Sequence, residues 1–120
     1  MAYRAFYALP VDNFKTSAGQ PTNAIYGFAA MIINLIIQEK PTHIAVAFDV
    51  SRQTFRTEKF SEYKSTRVAT PDEFKSQISH IYQVVDAFKI NRFELPGFEA
   101  DDVIATLTKN AEQKGFEVLI

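Results

Sequence analysis

Residues 44–48 read Ile-Ala-Val-Ala-Phe and stop at Asp49, without the polar alternation that a half-exposed strand carries. A run of that kind suits a strand buried on both faces, the usual state of a parallel sheet. Helical spacing flanks it on either side. Upstream, residues 25–37 are apolar apart from Gly27 and Asn34. Downstream, Phe74, Ile78, Ile81, Tyr82, Val85 and Phe88 recur at helical intervals. This alternation predicts an α/β fold, a mainly parallel sheet flanked by helices. In open sheets of that type ligands gather at the carboxyl edge of the strands, which is where Asp49 would sit.

Punctuation residues divide the chain. Residues 10–21 form an expected loop, with Asp12-Asn13, Ser17-Ala18-Gly19 and Pro21 supplying turn chemistry. Thr22 or Asn23 can then cap a helix over residues 24–38, apolar on nearly every side and ended by Pro41. Thr70-Pro71-Asp72-Glu73 has the form of a helix start: a Thr cap, Pro at the first position and Glu completing a capping box. On the helix that follows, Lys75, Gln77 and Asp86 are expected to face water. Residues 91–95 suggest a short strand, Pro96-Gly97 a turn, and residues 99–114 a helix striped with Ala100, Val103, Ile104, Leu107 and Ala111. Gly115 is placed to stop it, and residues 116–120 begin an expected final strand.

At 120 residues and 47% hydrophobic, the chain suits one compact domain. There is no cysteine, which excludes disulfides and thiolate metal sites and accords with a reducing cytoplasm. The apolar stretch 25–37 falls short of the roughly 18 to 20 residues that span a bilayer. No membrane partner is expected.

Three carboxylates occupy four positions in Gly97-Phe98-Glu99-Ala100-Asp101-Asp102, at the start of the last helix. Acids favour a helix N-terminus through the macrodipole, which is one explanation of the cluster. Three in one turn exceed what capping requires. Glu99 and Asp102 share a face, while Asp101 is turned about 100° from Asp102. Together with Asp49, these oxygens could hold Mg²⁺, which prefers carboxylate, water and phosphate ligands. Alternatively, Asp49 is only a turn residue closing its strand.

The net charge of -1 argues against a basic nucleic-acid coat over the whole surface. Residues 52–67 differ, with five bases (Arg52, Arg56, Lys59, Lys64, Arg67) against two acids (Glu58, Glu62), a local balance of +3. Arg56, Phe60, Tyr63, Lys64 and Arg67 would share one side of a helix. That cationic and aromatic mixture serves single-stranded nucleic acid. An ordinary charged helix with Phe60 and Tyr63 in the core would read the same way. His43 and His80 are not at metal-pair spacing, and neither a Gly-rich phosphate loop nor a nucleophile elbow occurs.

Several segments together closely resemble one family. They are Tyr3-Arg4-Ala5-Phe6, Ser17-Ala18-Gly19-Gln20-Pro21-Thr22, Tyr26-Gly27-Phe28, Pro41-Thr42-His43, Phe48-Asp49, Thr54-Phe55-Arg56, Glu62-Tyr63-Lys64, Arg67, and Glu99-Ala100-Asp101-Asp102-Val103-Ile104. The family is the 5′-3′ exonuclease domain at the N-terminus of bacterial DNA polymerase I, flap endonuclease-like and PIN-like in fold. The resemblance implies a Mg²⁺- or Mn²⁺-dependent nuclease, with two ions in the complete domain. It would act on flapped or nicked DNA 5′ ends in replication and repair, as part of a longer polymerase chain in the bacterial cytoplasm, at the nucleoid. It also implies that Asp49, Glu99, Asp101 and Asp102 are metal-site acids, and that Arg4, Lys64, Asp49 and Asp101 are catalytic. Arg4, Arg56, Phe60, Tyr63, Lys64 and Arg67 become DNA contacts, with residues 52–70 resembling the family's helical arch.

The same resemblance carries differences. In the family a strand ending in a metal-binding Asp precedes the Tyr-Arg-Ala-Phe segment, and a Gly-Asp-Lys/Arg-Asp loop follows the last strand. This chain is therefore expected to be a 5′-nuclease core truncated at both ends. Ala105 stands where the family usually has Gly. A DNA-binding module without cleavage, or a related metal-dependent ribonuclease, are the rival expectations.

Overall fold

The computed structural model describes residues 1–49 and 70–120. The expected arch, with Arg56, Phe60, Tyr63, Lys64 and Arg67, lies outside the described residues. Described residues 1–44 and 70–90 form one unit, and residues 45–49 with 91–120 form a second. The elements alternate as the sequence predicts: helices α1 (Ala2–Ala8), α2 (Asn23–Glu39), α3 (Asp72–Ala87) and α4 (Ala100–Gln113), with strands β1 (Ala45–Ala47) and β2 (Asn91–Phe93). Among the described residues no helix is long and apolar enough to cross a membrane.

In the first unit, α1 and α3 pack against α2. The core is Ala5, Phe6, Ala24, Phe28, Ile32, Phe74, Ile81, Val85 and Ile90. Each large side chain there contributes roughly 1.5–3 kcal/mol through burial. Helix α2 is less enclosed than its composition suggests, because Tyr26, Ile33 and Ile37 are exposed. Gly27 marks the closest approach of two helices, since a Cβ at that position would lie 2.7 Å from the Cβ of Ala5.

The start of α2 differs from expectation. Thr22 is its N-cap, yet neither Thr22 nor Asn23 caps it with a side chain. Gln77, expected to face water, is instead fully buried. Its Oε1 accepts hydrogen bonds from the backbone nitrogens of Ala24 (2.8 Å) and Ile25 (3.1 Å). A residue of α3 thus satisfies amides that α2 leaves orphaned.

Helix α3 also starts one residue later than predicted. Pro71, not Thr70, is its N-cap, and Pro71 offers no side-chain cap. Its far end closes in a Schellman motif: Lys89 takes a left-handed φ of 58°, with Lys89 N on Asp86 O (2.9 Å) and Ile90 N on Val85 O (3.2 Å). Ile90 is thereby turned into the core. Phe88, expected in the apolar stripe, falls in the turn and is exposed.

In the second unit β1 and β2 pair in parallel, with Ala45 opposite Asn91, Val46 opposite Arg92 and Ala47 opposite Phe93. Helix α4 packs on β1. Both strands are shorter than predicted. Strand β1, expected to be buried on both faces, has Ala45 exposed and Val46 and Ala47 half-buried, and β2 is exposed throughout, because a strand is buried on both faces only where helices cover both. Residues 116–120 form no strand; a ladder needs a partner strand, and β1 and β2 pair only with each other among the described residues. Gly115 stops α4 as expected, in a second Schellman motif with Gly115 N on Glu112 O and Phe116 N on Ala111 O, both at 3.0 Å. The predicted stripe of α4 is present but only half-buried.

Candidate metal centre at the junction of strand β1 and helix α4

The nitrogen of Phe48 donates to Phe93 O at 2.9 Å, the last link between the two strands. Asp49 follows at once, at the carboxyl edge. Its Oδ1 accepts the backbone N–H of Ala100 at 2.6 Å, and Ala100 is the first residue of α4. A carboxylate 51 positions away in sequence therefore sits on a helix N-terminus.

The same helix end holds a capping box. The side chain of Glu99, the N-cap, accepts from the backbone nitrogen of Asp102, while Asp102 Oδ2 accepts from the backbone nitrogen of Glu99 at 3.0 Å. Glu99 is buried to 9% relative exposure, and a carboxylate so enclosed needs such donors. Backbone amides and the positive end of the helix dipole offset the repulsion among these acids. Asp101 is exposed on the first turn, and its side chain makes no hydrogen bond or ion pair among the described residues.

The structure thus brings Asp49, Glu99 and Asp102 to one helix end, with Asp101 in the same turn. Among the described residues no group of three or more His, Cys, Asp or Glu is disposed to hold an ion. The donor chemistry nevertheless fits a hard divalent cation. All four candidates offer carboxylate oxygen, and each carboxylate has more lone pairs than one or two amide bonds consume. An apolar groove lined by Phe93, Leu95, Phe98, Val103 and Leu107 borders Asp102.

Arg4 lies on α1 in the other unit and is exposed, between the exposed Tyr3 and the buried Ala5. Tyr3 stacks edge-on against Phe74 with ring centroids 5.0 Å apart. It also meets Tyr7, whose phenol pKa is raised, chiefly by its hydrogen bond with Tyr3. The sequence reading puts Gln77 in water and offers Asn23 only as a helix cap, whereas the two form a buried polar pair. Position 77 falls among the apolar positions 74, 78, 81 and 85, a signal that could have placed it inside.

The family profile described as "5'-3' exonuclease, N-terminal resolvase-like domain" matches residues 1–120. The chain is 58% identical over 120 residues to DNA polymerase I of Mycobacterium tuberculosis. It is 49% identical over 122 residues to that of Streptococcus pneumoniae, and 48% identical over 120 residues to that of Bacillus subtilis. The whole of this chain is covered in each case, against 13%, 14% and 13% of these relatives respectively.

Proposed function

This chain belongs to the 5′-3′ exonuclease N-terminal resolvase-like domain family, and we propose that it supplies carboxylates to a divalent-metal site and a strand-gripping surface to a DNA 5′-nuclease. The substrate is a flapped or nicked DNA 5′ end met in replication and repair. The rest of a DNA polymerase I chain is its partner, in the bacterial cytoplasm at the nucleoid. The observation that carries this reading is the bond between Asp49 and Ala100, which delivers an acid from the end of β1 to the acid-rich first turn of α4.

Asp49, Glu99, Asp101 and Asp102 would hold Mg²⁺ or Mn²⁺ through carboxylate oxygens, two ions in the complete domain. A bound divalent ion lowers the pKa of its water and neutralises charge on a phosphodiester. Arg4 and Arg67 bind phosphate oxygens of the 5′ strand by charge-assisted hydrogen bonds, with Arg56 adding positive charge. Lys64 offsets the charge that develops at the reacting phosphoryl group. Phe60 and Tyr63 stack bases, tolerating any sequence.

A second reading, binding without cleavage, is favoured by the capping box: Glu99 and Asp102 already serve the helix end. A 5′-flap oligonucleotide incubated with the chain in Mg²⁺ or Mn²⁺ separates the two. Cleavage that disappears in Asp102→Asn supports the nuclease. Salt-sensitive binding with no product supports the second reading, and no binding at all overturns both.

A further inference from the structure

The side chains of Asn23 and Gln77 are both fully buried, and together they satisfy groups on three helices. Asn23 Nδ2 donates to Phe6 O at 2.8 Å and to Leu9 O at 3.0 Å, carbonyls that the end of α1 leaves without helical partners. Gln77 Nε2 donates to Asn23 Oδ1 at 2.7 Å and to Glu73 O at 2.9 Å. Its Oε1 takes the two orphaned amides at the start of α2. Both amide groups thereby use both of their N–H donors.

Helix α1 has seven residues, too few to hold its own conformation in water. Its placement depends on packing and on this network. Arg4 lies two residues before Phe6, on the face opposite the buried Ala5 and Phe6. A slip of one residue would swing it about 100° around the helix axis.

The geometry points to Asn23 and Gln77 as positioning residues that orient α1 so that Arg4 meets a phosphate of the 5′ strand. This rests on the phosphate-binding role of Arg4 proposed above. The network touches no substrate and acts only through α1.

The test is a double-mutant comparison. Binding of the 120-residue chain to a fluorescent 5′-phosphorylated flap oligonucleotide is measured by anisotropy in EDTA. Arg4→Ala is expected to weaken binding about tenfold, the loss of one charge-assisted contact. In the Gln77→Met background the same substitution should cost less than about twofold, since the arginine is already misplaced. Lys64→Ala, in another segment, should cost the same in both backgrounds. Asn23→Ala removes the bonds to α1 and carries the comparison if Gln77→Met loses its helical circular dichroism. An equal cost of Arg4→Ala in the parent and in either background overturns the positioning role alone. No binding by the parent, or no effect of Arg4→Ala in it, overturns the reading of Arg4 and the positioning role with it.

Discussion

Asp49 Oδ1 lies 2.6 Å from the backbone nitrogen of Ala100, so the end of β1 is tied to the start of α4 by an acid. The tie needs an acceptor oxygen but not a charge. Asp49→Ala is expected to lower stability by about 1 kcal/mol, a charged hydrogen bond discounted for an exposed aspartate. Asp49→Asn keeps the acceptor and should cost less than half as much, as urea melts of the two variants would check.

Glu99 and Asp102 exchange hydrogen bonds across the first turn of α4. Replacing either by alanine should cost about 1 kcal/mol. Because each bond supports the other, the double variant should cost less than the sum of the singles. Denaturant unfolding of the two single variants and the double variant measures that coupling.

Much of this arrangement is legible in the amino-acid sequence. The spacing of residues 74–85 and the stop at Gly115 place α3 and α4, because local periodicity and a left-handed glycine need no knowledge of the rest of the chain. The position of β1 and the acid that ends it are legible for the same reason. The lengths of the strands are not, since a strand extends only as far as its neighbour does. The burial of Gln77 is hinted at by its apolar neighbours at 74, 78, 81 and 85, but what its amide does there is not legible, because its partners at Ala24 and Ile25 stand 53 and 52 positions away. The acid triplet is visible as a cluster, yet its division into an N-cap, a capping-box partner and an exposed Asp101 depends on where α4 begins.

The approach of Gly27 to Ala5 leaves no room for a methyl group, with 2.7 Å between the two Cβ positions. Gly27→Ala should therefore destabilise the chain by about 1–3 kcal/mol through overpacking, despite alanine's better helix propensity. Thermal melting should show a lower midpoint; an unchanged one would mean that α1 yields freely.

Lys89 holds a left-handed φ of 58° at the end of α3, a conformation that costs a side-chain-bearing residue roughly 1–2 kcal/mol. Lys89→Gly relieves that strain at some cost in unfolded-state entropy. The expected net gain is about 0.5 kcal/mol, measured as a higher urea midpoint with unchanged slope.

Calorimetric titration of Mn²⁺ into the chain, alongside Asp49→Asn and Asp102→Asn, tests most directly whether these acids form one cation site. The parent is expected to bind, and each variant to bind at least about tenfold more weakly, the least that even outer partners contribute to metal affinity. In EDTA, Asp49→Asn should melt close to the parent, so lost binding cannot be lost folding. Equal Mn²⁺ affinity in the parent and Asp49→Asn would contradict a shared site and leave these acids as helix caps.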